Sequence, residues 1–249
     1  MNAQLSLVPQ VCPARYLVLD IETGNASDAD IETVLRCWKP PSNLRDQTKI
    51  EERRQEAALK IRERSALLDS APILCVGIQT DFARAVFNGI DDVIYDVGGI
   101  DTTSCGNERD MLLELRKWLD INTSPDTILV GHNVRGFDLP KLRSAYMRNK
   151  LLLPNLLAPK MLNGEQTIVD TAYLFKSFSV EHRDDFCPSL TSVCNGLNIP
   201  QPKVVISGAE VPKMHQEGRY VEILTYNMID VLATARAYLL MSGNAEDLQ

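Results

Sequence analysis

The apolar positions of the chain change period along its length, and the changes mark its elements. Tyr16 to Ile21 (YLVLDI) is short, apolar up to its acidic end and flanked by Pro13 and by Thr23-Gly24, which predicts a buried strand. Pro72 to Ile78 repeats that character, and Ala83 to Phe87 and Val93 to Val97 supply further strands, so the first part of the sheet is expected to be an antiparallel meander. From Asn107 to Leu119 the spacing becomes helical, with Met111, Leu112, Leu115, Trp118 and Leu119 on one side and Asn107 and Glu108 suited to a helix start. Thr127 to Gly131 predicts another buried strand, followed by a helix over Leu139 to Arg148 whose first turn tolerates Pro140. Thr167 to Thr171 is expected as a short strand, and Leu190 to Leu197 as a short helix. Lys213 to Met241 presents Val221, Leu224, Met228, Val231, Leu232, Ala235 and Leu239 as a broad apolar face, which predicts a long terminal helix packed on the sheet. Strands first, then alternating helix and strand, then a helix, describe an α/β layered domain over 14–241, with 1–13 and 242–249 as flexible termini.

An insertion at about 24–71 interrupts the meander. Asp46 can cap a helix running to about Leu68, with Ile50, Ala57, Ile61 and Leu68 on one face and Glu56/Lys60 as an i, i+4 pair. Between Arg36 and Arg64 nine Lys or Arg stand against five acids, a local balance of +4 in a chain whose formal charge is −7. A solvated helix face accounts for most such charges. The sharper reading is a basic arm beside the active site.

Composition narrows the classes. With 249 residues and 45% hydrophobic content the chain can bury a sizeable core. The negative balance argues against a wide basic face that grips long nucleic acid, but not against a nuclease, since divalent cations neutralise both acids and phosphates. The six cysteines form no Cys-x-x-Cys pair, so neither zinc nor a disulfide framework is expected, and Cys75 fits a small buried hydrophobe. No segment has the pattern of a signal peptide or the length of a membrane span, so a cytoplasmic location is the expectation.

The candidate chemistry lies in three acidic motifs. Asp20-Ile21-Glu22 ends the first strand, where a period of two points both carboxylates to one face. Asp30-Ile31-Glu32 has the same spacing, but in a segment read as surface. Charges that close a buried strand are usually paired or metal-bound. Asn133-Val-Arg-Gly-Phe137-Asp138 follows a buried strand and leads into a helix, which places Asp138 at the junction, where a plain N-cap role is the simpler alternative. His132 is expected to be a packed or capping histidine. Tyr226-Asn-Met-Ile-Asp230 puts a hydroxyl and a carboxylate one helical turn apart, with a core Tyr226 and a solvated Asp230 as the alternative.

In this order the three motifs resemble those of the tyrosine-type DEDD (DnaQ-like) 3'-5' exonucleases, the superfamily that includes the proofreading domains of family B DNA polymerases. The resemblance spans Tyr16 to Asp230. It implies a ribonuclease-H-like three-layer fold, with a mixed sheet, antiparallel first strands, the first strand central and helices on both faces. It implies two divalent ions, Mg2+ or Mn2+, held by Asp20, Glu22, Asp138 and Asp230, with Tyr226 as a fifth catalytic residue that orients the attacking water. Asn133, Phe137 and Thr23 become candidate contacts to the terminal nucleotides, and Asp170 resembles a nearby acidic position, although capping at a strand end suits it better. The expected substrate is DNA, chiefly single-stranded 3' ends, yielding nucleoside 5'-monophosphates in repair, proofreading or phage-type DNA metabolism. An RNA exonuclease on the same scaffold and a catalytically silent binding module remain alternatives. No protein partner is identified.

Overall fold

The structure is a computed structural model and describes residues 12–159, 167–200 and 206–243. The termini expected to be flexible thus lie largely outside the described residues. The chain forms β1 (Tyr16–Thr23), α1 (Asp28–Arg36), α2 (Gln47–Glu63), β2 (Ile73–Thr80), β3 (Arg84–Asn88), β4 (Asp101–Ser104), α3 (Glu108–Asn122) and β5 (Ile128–Gly131). It continues with α4 (Asp138–Arg148), β6 (Ile168–Asp170), α5 (Thr171–Phe175), α6 (Leu190–Gly196), α7 (Val211–Gln216) and α8 (Tyr220–Met241). Six strands pair in the order β4-β3-β2-β1-β5-β6. The β1/β2 and β2/β3 pairs are antiparallel, whereas β3/β4, β1/β5 and β5/β6 are parallel. This mixed sheet with β1 inside it and helices around it is the ribonuclease-H-like α/β arrangement.

The strand period divides the core in two. Leu17, Leu19 and Ile21 of β1 pack with Met111, Leu112, Leu115 and Leu119 of α3 and Leu139, Leu142 and Tyr146 of α4. Tyr16 and Val18 face the other way, onto Leu224, Met228, Val231 and Ala235 of α8. Asp20 and Glu22 continue that second row, so the sheet face covered by α8 turns acidic at the end of β1. Glu108, one residue inside the Asn107 cap of α3, accepts hydrogen bonds from the Ile73 amide, Arg148 and Asn149, tying α3 and the end of α4 to the start of β2.

Several expectations are corrected. Val93 to Val97 is not a strand: Val93 and Ile94 are exposed, and the Asp91 carboxylate accepts from the Val93 amide, Asn88 and the Tyr95 hydroxyl. Such local side-chain bonds offer the backbone an alternative to a ladder. The strand beside β3 is instead the polar Asp101–Ser104. The terminal helix is two helices, because Gly218 adopts φ +73° and ends α7 before α8 begins. Strand β6 stops at Asp170, and Thr171 already opens α5.

The insertion also differs in detail. Ser27 caps α1, a helix absent from the sequence-based reading, so Asp30-Ile31-Glu32 is helical and Ile31 is buried. Asp46 caps α2 as expected, but α2 ends at Glu63 and a short 3-10 turn, Ser65–Leu67, follows. None of the α2 residues is fully buried, and Glu56 pairs with Arg53 at 3.0 Å rather than with Lys60. Ala58, Ile61 and Leu68 rest against Ala26, Ile31, Leu35 and Ala71, a small core separate from the two on the sheet. No helix among the described residues is long and apolar enough to cross a membrane.

Candidate active site

The end of β1 brings the acidic motifs together. Asp20, Glu22 and Asp230 each offer a carboxylate oxygen within 4.8 Å of the others. The fourth acid, Asp138, is the first residue of α4, not its cap: Phe137 holds the cap position without a side-chain bond. The Asp138 carboxylate accepts instead from the Ile21 amide at 3.1 Å, between the two acids of β1.

Electrostatics follow from crowding four acids at the end of a buried strand. Burial, then the charges of Asp138, Glu22 and Asp230, hold the Asp20 carboxyl well above the usual range, against a hydrogen bond from Asn227. Burial followed by Asp230 and Asp138 does the same to Glu22. Burial pushes Asp138 up to about 7, partly opposed by backbone amides, and raises Asp230 to about 6 against a hydrogen bond from Tyr226. Tyr226 is raised as well, first by burial and then by Asp230 and Glu22, so its hydroxyl stays protonated at neutral pH. Such a cluster of like charges is stable either with protons or with cations between the oxygens. An all-oxygen donor set suits Mg2+ or Mn2+. The residues therefore fit a divalent ion.

Two supporting residues escaped the sequence reading. Asn227, fully buried on α8, donates from Nδ2 to Asp20 Oδ2 at 2.8 Å. It can lie that close because Gly77, opposite Asp20 on β2, has no side chain: a Cβ there would meet Asn227 Oδ1 at 2.2 Å and Val231 Cγ2 at 2.9 Å. An asparagine beside the tyrosine of a helical motif and a glycine inside an apolar strand carry little signal until the helix is laid on the sheet.

The remaining candidates take distinct places. Asn133 sits at φ +55°, a left-handed conformation that asparagine tolerates. Asp170 caps α5 and accepts from the amides of Asn133 and Arg135, so it braces the loop that leads to Asp138. His132 bonds Thr171 and is lowered by burial, as a packed histidine should be. Phe137 is half-buried beside the ammonium of Lys141, 5.8 Å from its ring centre. Thr23 spends its hydroxyl on the Ala66 carbonyl at 3.2 Å, away from the acids. Cys75, across from Glu22, is buried with its thiol pushed up by burial and the neighbouring acids, which keeps it unreactive.

No curated protein matches the chain. Residues 84–249 match the family described as a predicted 3'-5' exonuclease related to the exonuclease domain of PolB. That segment contains Asn133, Phe137, Asp138, Tyr226 and Asp230, while Asp20, Glu22 and the insertion precede it. With two-thirds of its length matched and its sheet arranged as described, the chain belongs to this family of predicted 3'-5' exonucleases.

Proposed function

We propose that the protein is a divalent-metal-dependent 3'-5' exonuclease that removes nucleoside 5'-monophosphates from single-stranded DNA ends. The observation that carries this reading is the convergence of Asp20, Glu22 and Asp230 within 4.8 Å, with Asp138 hydrogen-bonded between the first two, in a chain of this family. The kinship with a polymerase-associated exonuclease domain favours DNA over RNA.

Asp20, Glu22 and Asp230 would hold one ion and Asp138, with Asp20, a second. Bound Mg2+ or Mn2+ would activate water and neutralise charge on the scissile phosphate. The protein's own groups do the rest. Asn227 fixes one oxygen of Asp20 and so holds the orientation of this carboxylate beside Glu22 and Asp230. Tyr226, protonated and hydrogen-bonded to Asp230, is placed to orient the attacking water rather than to deprotonate it. Asn133 and Phe137, on the loop before Asp138, would contact the terminal nucleotides, Phe137 by stacking. Thr23 would contribute through its backbone or methyl group, since its hydroxyl is engaged.

The test is digestion of 3'- and 5'-labelled DNA and RNA oligonucleotides with Mg2+, Mn2+ or EDTA, using the wild type and Asp20→Ala and Asp230→Ala variants. Stepwise shortening from the 3' end of DNA, lost in EDTA and in both folded variants, is expected. Retained activity in either variant rejects the assignment, and preference for RNA rejects the substrate class.

A further inference from the structure

The insertion is built as a rigid arm rooted beside the acids. It leaves β1 directly after Thr23, one residue past Glu22, and returns through Ala66. The Ala66 carbonyl accepts from Thr23 Oγ1 at 3.2 Å and from the Lys141 ammonium at 2.9 Å, and Lys141, itself buried, also bonds the Leu68 carbonyl. Ser65 bonds Asn25 across the same root at 2.9 Å. Farther out, Arg62 of α2 pairs with Asp28 and Glu32 of α1, and the two helices enclose their own small core. One face of α2 thus serves the arm.

The opposite side makes no ion pair with another element among the described residues. On a helix of about 100° per residue, Lys49, Arg53 and Lys60 fall within a sector of about 40°, away from Arg62 and Ile61. The connector between α1 and α2 runs beside this stripe and forms a cleft of about 570 Å3 lined by Trp38, Lys39, Leu44, Arg53, Ala57 and Lys60. Trp38 is half-buried there, which leaves part of its indole to the cleft. Among the ion pairs of the described residues, Arg53 shares its guanidinium with Glu56, also on the cleft, while Lys39 and Lys60 join none. The local +4 balance contrasts with −7 for the whole chain. Cations arranged around an aromatic ring fit a polynucleotide strand, whose phosphates take the charges and whose bases stack on the ring. An acidic protein surface would use the cations but has no comparable use for the indole.

We infer that the Trp38–Lys39–Arg53–Lys60 cleft is a binding site for single-stranded nucleic acid, which holds the strand away from the cut end and feeds it toward the acids. The inference rests on the exonuclease reading of the β1 site, and the test separates the two. A triple variant, Lys39→Gln, Arg53→Gln and Lys60→Gln, and Trp38→Ala are compared with wild type by fluorescence anisotropy of labelled oligo(dT) in Ca2+, from about 0.05 to 0.5 M salt. Removing three phosphate contacts lowers the slope of log K on log salt by about 2, and weakens binding by up to about 100-fold at about 0.1 M salt. Trp38→Ala weakens binding about tenfold with the slope unchanged, since stacking is not ionic. Cleavage of a dinucleotide, which has no strand beyond the cut end for the cleft to hold, stays at the wild-type rate in both variants. Unchanged oligonucleotide binding overturns the arm site while leaving the exonuclease reading intact. Loss of dinucleotide cleavage together with a lowered melting temperature would also overturn it, by placing these residues in the fold. No shortening of a labelled oligonucleotide by the wild type in Mg2+ or Mn2+ would refute the reading on which the inference rests.

Discussion

Replacing Asp138 with asparagine should stabilise the metal-free protein. Asp138 is 2% exposed and its carboxyl sits at about 7 instead of the usual 3.8, chiefly because burial penalises its charge. Each pKa unit corresponds to about 1.4 kcal/mol, so at pH 8 the charged group costs the folded state on the order of 4 kcal/mol. The sign follows from proton binding. A carboxyl raised on folding holds its proton in the native state between about pH 4 and 7, where the unfolded chain releases it, so stability falls as pH rises through that window. The backbone contact survives the substitution, because the amide oxygen introduced by Asp138→Asn still accepts from the Ile21 amide and carries no charge. The new amide donor needs a partner, at a cost of about 1–2 kcal/mol. The net expectation at pH 8 in EDTA is a gain of roughly 2–3 kcal/mol, or about 4–12 °C in melting temperature for a chain of this size. Thermal melts at pH 8 and pH 5 give the check, because roughly 2–3 kcal/mol of the difference should disappear at the lower pH. Equal stability at pH 8, or a gap that does not change with pH, would refute the claim that burial of the charge dominates at this position.

Other consequences are separable from that one. Gly77→Ala drives a methyl to within 2.2 Å of Asn227 Oδ1, so it should cost about 1–3 kcal/mol in urea unfolding and release Asp20 from its hydrogen bond, lowering nuclease turnover beyond what the lost stability explains. Tyr226→Phe keeps the ring in place, so kcat should fall with little change in KM; since the hydroxyl is held protonated, the wild-type rate should show no alkaline decline from this group below about pH 10. Mn2+ at about 100 times its dissociation constant should add about 2.7 kcal/mol to wild-type stability. Differential scanning fluorimetry should find that shift reduced in Glu22→Gln, whose oxygen belongs to the convergent trio.

What could be read along the chain depended on whether local pattern and tertiary need agreed. β1, β2, β5 and α3 carry strong apolar periods, and each buries the side chains those periods select. The acids were legible because strand alternation and helix pitch fix the direction of Asp20, Glu22, Tyr226 and Asp230 before any packing is known. β4 was not, since Asp-Thr-Thr-Ser has no apolar face and forms a strand through its parallel pairing with β3. Val93 to Val97 failed in the opposite sense: it is mostly apolar, but Asp91 engages the Val93 amide and the Tyr95 hydroxyl locally. Asn227 and Gly77 were invisible for a further reason. Their significance is a distance between α8 and β2, and no spacing along the sequence encodes it.

That distance also explains how an unfavourable site persists. Four acids raised by burial weaken the metal-free fold, and the backbone positions that bring them together are set by β1, α4 and α8. β1 is paired on both sides, to β2 and β5, and α8 lies against it through Tyr16, Val18, Leu224, Met228 and Val231. Repulsion among the acids is therefore resisted by packing that extends well beyond them, and is not relieved by relaxation at the strand end. A site held in this way keeps its oxygens convergent before any cation arrives, so binding need not order them. The same rigidity reaches the insertion, because Thr23 and Lys141 share the Ala66 carbonyl at its root. An arm that pivoted freely would lose register with the acids. One anchored to the residue after Glu22 and to the helix begun by Asp138 keeps a held strand at a constant distance from both.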